Sequence, residues 1–252
     1  MRIRRTTRCL AAVTAVLAMG FTAACSGADD DGKAKGSDSA PDSGGGKGAT
    51  PGQGGEKDAR TLSKKELDKV ALATADVKGY LVTTPPPEDV AGTHEEKADR
   101  AECQPIASVI GGVQEPKPTD TVYRSLAPQK QGDLGLVLFE IVSAYEASDA
   151  VKTMADLKKA VGTCERGFTT TTGSGAEETK YTKVEESIAP AVGQDSVSYT
   201  VTGELLEDEV PLAFTMFRSG STIFTFYSMN VMESTKTEVP ESVVVAQAEK
   251  LK

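Results

Sequence analysis

The chain has 252 residues, 37 acidic against 28 basic side chains, a formal net charge of -9, four cysteines, one histidine and no tryptophan. So acidic a chain repels nucleic acid, and no basic stripe with interleaved aromatics offsets that repulsion. No GxSxG, HExxH, Walker or GxGxxG motif is present, so no catalytic residue, cofactor or metal is assigned.

The N-terminus reads as an export signal. MRIRRTTR carries Arg2, Arg4, Arg5 and Arg8, CLAAVTAVLAMGF is uncharged, and the small residues Thr22, Ala23 and Ala24 follow. The apolar run falls short of the roughly 20 residues of a membrane span. Cys25 comes directly after Ala24, and LAMGFTAACSG resembles the bacterial lipobox, in which the cysteine thiol receives a diacylglycerol and becomes the mature N-terminus. Thr22 stands where that motif usually has Leu. Residues 1–24 are therefore expected to be a signal peptide and Cys25 a lipidated anchor on the extracytoplasmic face of the cell membrane. A plain secretory signal cut near Ala24 is the alternative. Loss of the four arginines takes the formal charge from -9 to -13.

Residues 26–60 hold no large apolar side chain, and such a segment is expected to be a disordered Gly/Ser/Asp-rich tether with a reach of about 30 Å. One domain is expected over 61–252. Ser63 and Glu66 have capping-box spacing, with Leu62 and Leu67 placed as a hydrophobic staple, so a helix is predicted from Ser63 with Leu67, Val70 and Ala71 buried. Gly79 and Pro85-Pro86-Pro87 predict a loop. A second helical stretch is predicted from the Thr93 and Glu96 pair, divided by Pro105, with Ile106, Val109 and Ile110 on its apolar face and Gly111-Gly112 as its stop.

LGLVLFEIVSAY, Leu134 to Tyr145, predicts a central strand. SDAVKTMADLKKAVGTC predicts a helix capped by Ser148, with Val151, Met154, Leu157 and Val161 on one face, ending at Gly162 just before Cys164. Strands are predicted at Phe168–Thr172, Tyr181–Ile188, Ser196–Thr202, Pro211–Arg218 and Thr222–Val231, and Pro240 opens a final helix carrying Val243, Val244 and Leu251. The pattern is α+β: an antiparallel β-sheet flanked by helices.

Cys9 leaves with the signal and Cys25 takes lipid, so Cys103 and Cys164 are expected to form a structural disulfide outside the cytoplasm. The acidic runs Glu177-Glu178, Glu185-Glu186 and Glu207-Asp208-Glu209 read as solvated surface, and His94 as an exposed residue in a polar helix start. The late hairpin is more informative. A turn at Ser219-Gly220 sets Met216 opposite Ile223, Phe214 opposite Thr225 and Leu212 opposite Tyr227, all on one face. The other face carries Ala213, Thr215, Phe217, Phe224 and Phe226, so the ribbon is apolar on both sides. Two arrangements satisfy it: a groove over the second face, or helices and loops covering both. In the first, Phe214, Met216, Ile223, Thr225 and Tyr227 line a ligand site.

AECQPIASVIGG, the strand-helix unit LGLVLFEIVSAYEASDAVKTMADLKKAVGTCERGF, the late hairpin and the closing amphipathic helix together resemble the PknH-type extracellular sensor domain of mycobacterial receptor kinases and actinobacterial lipoproteins. The likeness covers about Leu62 to Lys252. It implies a Cys103–Cys164 bridge, an antiparallel sheet flanked by helices, and a ligand cleft; the second disulfide of many members has no cysteines here. The expected function is a lipid-anchored, non-catalytic, ligand-binding or sensor-like domain for a small amphipathic or cell-envelope molecule. The alternative is a cell-envelope protein–protein interaction module with a solid core.

Overall fold

The computed structural model describes residues 60–86, 90, 94–130, 135–172, 177–205 and 208–252, so the signal segment, Cys25 and the tether lie outside the described residues. Nine strands pair antiparallel in one sheet: β1 (Tyr80–Thr83), β2 (Glu96–Ala98), β3 (Asp120–Pro128), β4 (Leu136–Ala144), β5 (Phe168–Thr172), β6 (Glu178–Ser187), β7 (Asp195–Leu205), β8 (Asp208–Ser219) and β9 (Thr222–Asn230). Their order across the sheet is β1-β3-β4-β9-β8-β7-β6-β5-β2. Four helices accompany it: α1 (Lys64–Val70), α2 (Gln104–Gly111), α3 (Ala147–Thr163) and α4 (Glu241–Lys250). The expected α+β class holds.

The predicted start of α1 is realised through the Glu66 carboxylate. Its Oε2 accepts from the Ser63 N–H at 3.0 Å and the Ser63 hydroxyl at 2.7 Å, while Arg60 donates to both carboxylate oxygens. Those donors hold the Glu66 carboxyl down at about 2, the Arg60 guanidinium contributing most. Leu67 and Ala71 then turn inward. In α3 the buried stripe is Ala150, Thr153, Met154, Leu157, Ala160 and Val161. Val151, expected inside, is 38% exposed, and Glu146 rather than Ser148 precedes the first turn. The longer apolar arc through the alanines wins because small residues let the helix lie close to the sheet.

Of the helical stretch expected from Thr93 and Glu96, the later part forms as α2, with Ile106 and Val109 buried and Gly112 as its C-cap, but the part before it does not. Thr93 is outside the described residues, and Glu96–Ala98 is an edge strand paired with β5, Ala98 opposite Thr170. Glu96 and Ala98 both point inward with Lys97 outside, a period-two pattern that capping-box spacing concealed. The residues around Gly79 also include strand β1, and β3 is a strand where none was predicted. In DTVYRSLAP the inward set is Val122, Arg124 and Leu126, and the charged member hides the alternation.

The sheet carries two cores, one on each face. On the first face α2 and α3 pack Ile106, Val109, Met154, Leu157 and Val161 against Val184, Val197, Tyr199, Val201, Phe214, Met216 and Ile223. On the second, α1 and α4 pack Leu67, Val243 and Val244 against Val122, Leu126, Leu138, Val142, Phe217, Phe224 and Phe226. Phe217 stacks on Phe224 with ring centroids 4.8 Å apart, and burial of each such ring contributes about 1.5–3 kcal/mol. The first core takes no residue from β1, β3 or β4, and the second takes none from β5, β6 or β7. The helices therefore cover opposite halves of the sheet on its two faces.

One charged pair sits in the second core. Glu140 on β4 lies opposite Arg124 on β3 and is fully buried. Its Oε2 accepts from the Leu72 N–H at 2.9 Å, and Arg124 donates to the Leu72 carbonyl at 3.3 Å and to Asp68 Oδ1 at 3.0 Å. Lys250 on α4 pairs with Asp76 at 2.5 Å on the same side. Burial pushes the Glu140 carboxyl up to about 7, against the pull of the Leu72 N–H, Arg124 and Lys250, and Asp76 adds a smaller push. Between about pH 4.5 and 7 the folded chain therefore holds a proton that the unfolded chain releases. The stability contributed by this raised carboxyl falls as pH rises through that window. Glu140→Gln keeps the acceptor for Leu72 and removes the ionisation. Urea denaturation at pH 5 and pH 8 is expected to show the variant gaining on the parent by up to about 3 kcal/mol at the higher pH. An unchanged difference at the two pH values would contradict the assignment.

Candidate functional site

On the first face, the register places Tyr199, Phe214, Tyr227 and Phe139 directly opposite one another on β7, β8, β9 and β4. Their rings form a continuous row, with centroids 5.2 Å apart for Tyr199 and Phe214, 5.2 Å for Phe214 and Tyr227, and 6.3 Å for Tyr227 and Phe139. The row begins under α3, where Tyr199 is 1% exposed, passes half-buried Tyr227 packed at the edge of the first core, and ends outside that core at half-buried Phe139. Past that point the face continues through half-buried Tyr123, Val137, Ile141 and Met229 to Leu81, which is 47% exposed. Among the described helices none contributes to a core over this half. Thr83, Ser125 and Thr225 interleave hydroxyls with the apolar side chains on the same face. The Tyr227 hydroxyl donates to the Met229 thioether at 3.2 Å, a weak acceptor that a carbonyl or carboxylate would readily replace.

The hairpin carrying the sequence-predicted residues turns at Gly220-Ser221, one residue later than expected. Gly220 takes φ +62°, and its N–H donates to Gln194 Oε1 at 2.6 Å. Phe214 consequently faces Tyr227, Met216 faces Thr225, and Arg218 faces Ile223. The shift is two positions in pairing, so every side chain keeps its predicted face. Phe214, Met216 and Ile223 are 3%, 1% and 1% exposed within the first core, Thr225 is 6% exposed, and Tyr227 stands at the margin where the aromatic row emerges. Sequence reasoning missed Phe139, Tyr123 and Leu81. Phe139 lay inside the run read as a central strand, with no face assigned to it. Tyr123 and Leu81 belonged to strands that were not read at all.

Cys103 and Cys164 form a disulfide with Cα atoms 5.9 Å apart. It joins the residue before α2 to the residue after α3, fixing the two helices that close the first face. Gly167, three residues on, has φ +78°, and a Cβ there would lie 2.0 Å from the Tyr181 carbonyl oxygen. Glycine thus lets the chain turn directly from the bridge into β5. Beside it, Tyr181 packs on Phe168 with centroids 5.0 Å apart, and its phenol is pushed up by burial and then by the Glu96 carboxylate. Glu96 is itself 5% exposed and hydrogen-bonds the exposed His94 Nε2 at 2.9 Å. No group of three or more potential metal ligands occurs among the described residues.

Two stability tests follow from this site. The bridge closes a loop spanning 61 residues, for which the chain-entropy relation gives about 4 kcal/mol. Cys103→Ser with Cys164→Ser is expected to lower unfolding free energy by that order in denaturant titration, and a loss below 1 kcal/mol would contradict it. The Tyr199 hydroxyl is fully buried without a hydrogen-bond partner among the described residues, and burial pushes its phenol far up. Tyr199→Phe should therefore leave the ring stack intact and raise stability by about 1 kcal/mol. Marked destabilisation would show that the hydroxyl has a partner.

No protein-family model matches the chain, and no curated protein matches it in sequence. Among solved structures it is similar to the extracellular domain of PknH from Mycobacterium tuberculosis, at 11% identity and a TM-score of 0.47, covering 77% of this chain and 96% of that one. It is also similar to LpqN, involved in cell envelope biogenesis of the same organism, at 7% identity and a TM-score of 0.25, covering 68% of this chain and 81% of that one. The likeness to the PknH domain named from the sequence stands as a similarity and does not establish a family.

Proposed function

We propose that the chain is an extracytoplasmic lipoprotein, anchored through Cys25, whose folded domain binds a small amphipathic or cell-envelope molecule without catalysing its conversion. The observation that carries this reading is the aromatic row from Tyr199 to Phe139, which leads out of a closed core onto an apolar half-face interleaved with hydroxyls. An acyl or isoprenoid stem would lie across Phe139, Ile141 and Tyr227, with its polar end taking the Tyr227 hydroxyl from Met229. The export signal and the Cys103–Cys164 bridge support an oxidising compartment, where disulfides persist. No helix among the described residues is long and apolar enough to cross a membrane.

A second reading, a docking module with a solid core, is favoured by the closure of Phe214, Met216 and Ile223. Native mass spectrometry of the exported, oxidised protein isolated from its own envelope separates the two. The binding reading predicts a reproducible adduct that extracts into organic solvent and falls at least fivefold in Tyr227→Ala, which removes a half-buried ring. A clean apo mass after incubation with envelope extract would contradict it and favour docking.

A further inference from the structure

We propose that α4 is held on the sheet by a proton at Glu140, and that ionisation of this carboxyl draws the α4 donors off α1 and loosens the helix over the second core. Glu140 reaches a polar hub at the C-terminal end of α1. Gln247 Nε2 on α4 donates to the Val70 carbonyl at 2.8 Å, Lys250 Nζ donates to the Ala71 carbonyl at 2.6 Å, and the Leu72 N–H donates to Glu140 Oε2 at 2.9 Å. Three consecutive residues thus join α1 to α4 and to β4. The last turn of a helix leaves its carbonyls unpaired, and here an amide and an ammonium of α4 supply the missing donors.

Two acceptors of this hub have no partner among the described residues: Glu140 Oε1 and Gln247 Oε1, both on fully buried side chains. A buried acceptor without a donor is costly, and costlier when it carries charge. A proton on Glu140 removes the charge and can turn Oε1 from an acceptor into a donor. Once ionised, the carboxylate needs a donor for Oε1. Arg124 on β3 has none to give, since its five N–H groups are committed to Leu72 O, Thr84 Oγ1, Tyr123 O, and Asp68 O and Oδ1. Asp76 on the link after α1 repels the carboxylate, β9 sets Phe226 opposite it, and Tyr80 of β1 borders the same core. The remaining donors at the hub are the Gln247 amide and the Lys250 ammonium of α4, and Lys250 is already shared with Asp76. Recruiting either one breaks a bond to α1. Val243 and Val244 of the same helix are fully buried, so its loosening bares apolar surface on the second face.

Hydrogen–deuterium exchange of the full chain at pH 6 and pH 8, corrected for the intrinsic pH dependence of exchange, tests this. Burial pushes the Glu140 carboxyl up to about 7, so its ionised fraction rises about tenfold between the two conditions. Opening of peptides spanning 241–250 is expected to rise by the same factor, while α3, tied by the Cys103–Cys164 bridge, keeps its protection. Glu140→Gln stays neutral and is expected to hold α4 at its low-pH protection under both conditions. In an NMR titration the Gln247 side-chain amide is expected to shift with the midpoint of the Glu140 carboxyl carbon. Gln247→Met is expected to raise that midpoint by withdrawing a donor from the ionised state. Equal α4 protection at the two pH values, the same pH response in Glu140→Gln, or α3 loosening in step with α4 would each overturn the proposal.

Discussion

The β8–β9 ribbon is apolar on both sides, and the remainder of the fold answers that constraint. With Phe214, Met216 and Ile223 on one face and Phe217, Phe224 and Phe226 on the other, a sheet left bare on either side would expose several aromatic rings to water. A sheet of nine strands spaced about 4.8 Å apart is roughly 40 Å wide, whereas two helices about 10 Å apart cover only about half of it. Four helices therefore cover one half of each face. Because the ribbon is central, the two covered halves overlap there and extend in opposite directions.

This arrangement explains where the locks are placed. The disulfide ties the entrance of α2 to the exit of α3, holding the pair over β6, β7 and β8. On the other face, where no cysteine is available, polar groups do the corresponding job: Glu140 and Arg124 reach from adjacent strands to the backbone at Leu72, just beyond α1, and Gln247 and Lys250 of α4 donate to Val70 and Ala71. A buried ionisable pair costs desolvation, and it is here that acidity and stability become linked. Among the described residues, the half of each face outside the two cores then differs, one being apolar with hydroxyls and the other polar with carboxylates.

Much of this was legible in the chain. The one-face placement of Met154, Leu157 and Val161 located α3, the Ser63 and Glu66 pair located α1, and the hairpin's apolar character on both sides left either a groove or cover on both faces open. Cysteine bookkeeping named the bridge that the structure contains. The failures have physical causes. A capping-box pair does not specify a helix when its residues also alternate, and Glu96 with Ala98 gained more from filling the edge beside β5 than from a local cap. β3 was hidden by Arg124, whose inward charge is satisfied by carbonyls and a carboxylate distant in sequence. The hairpin face was legible from parity alone, but which part of that face stays open depended on where α2 and α3 stop, which no local pattern records.

The proposed binding role thus rests on coverage geometry: a row of rings starts beneath α3 and emerges where no described helix follows. Photo-crosslinking of the folded protein with a diazirine-bearing fatty acyl probe, followed by peptide mapping, tests this most directly. The account predicts labels concentrated on the β4 and β9 peptides, at Phe139, Ile141, Tyr227 and Met229, and competed by unlabelled amphiphile. Labelling spread evenly over the surface, or confined to strands β5 to β7, would contradict it.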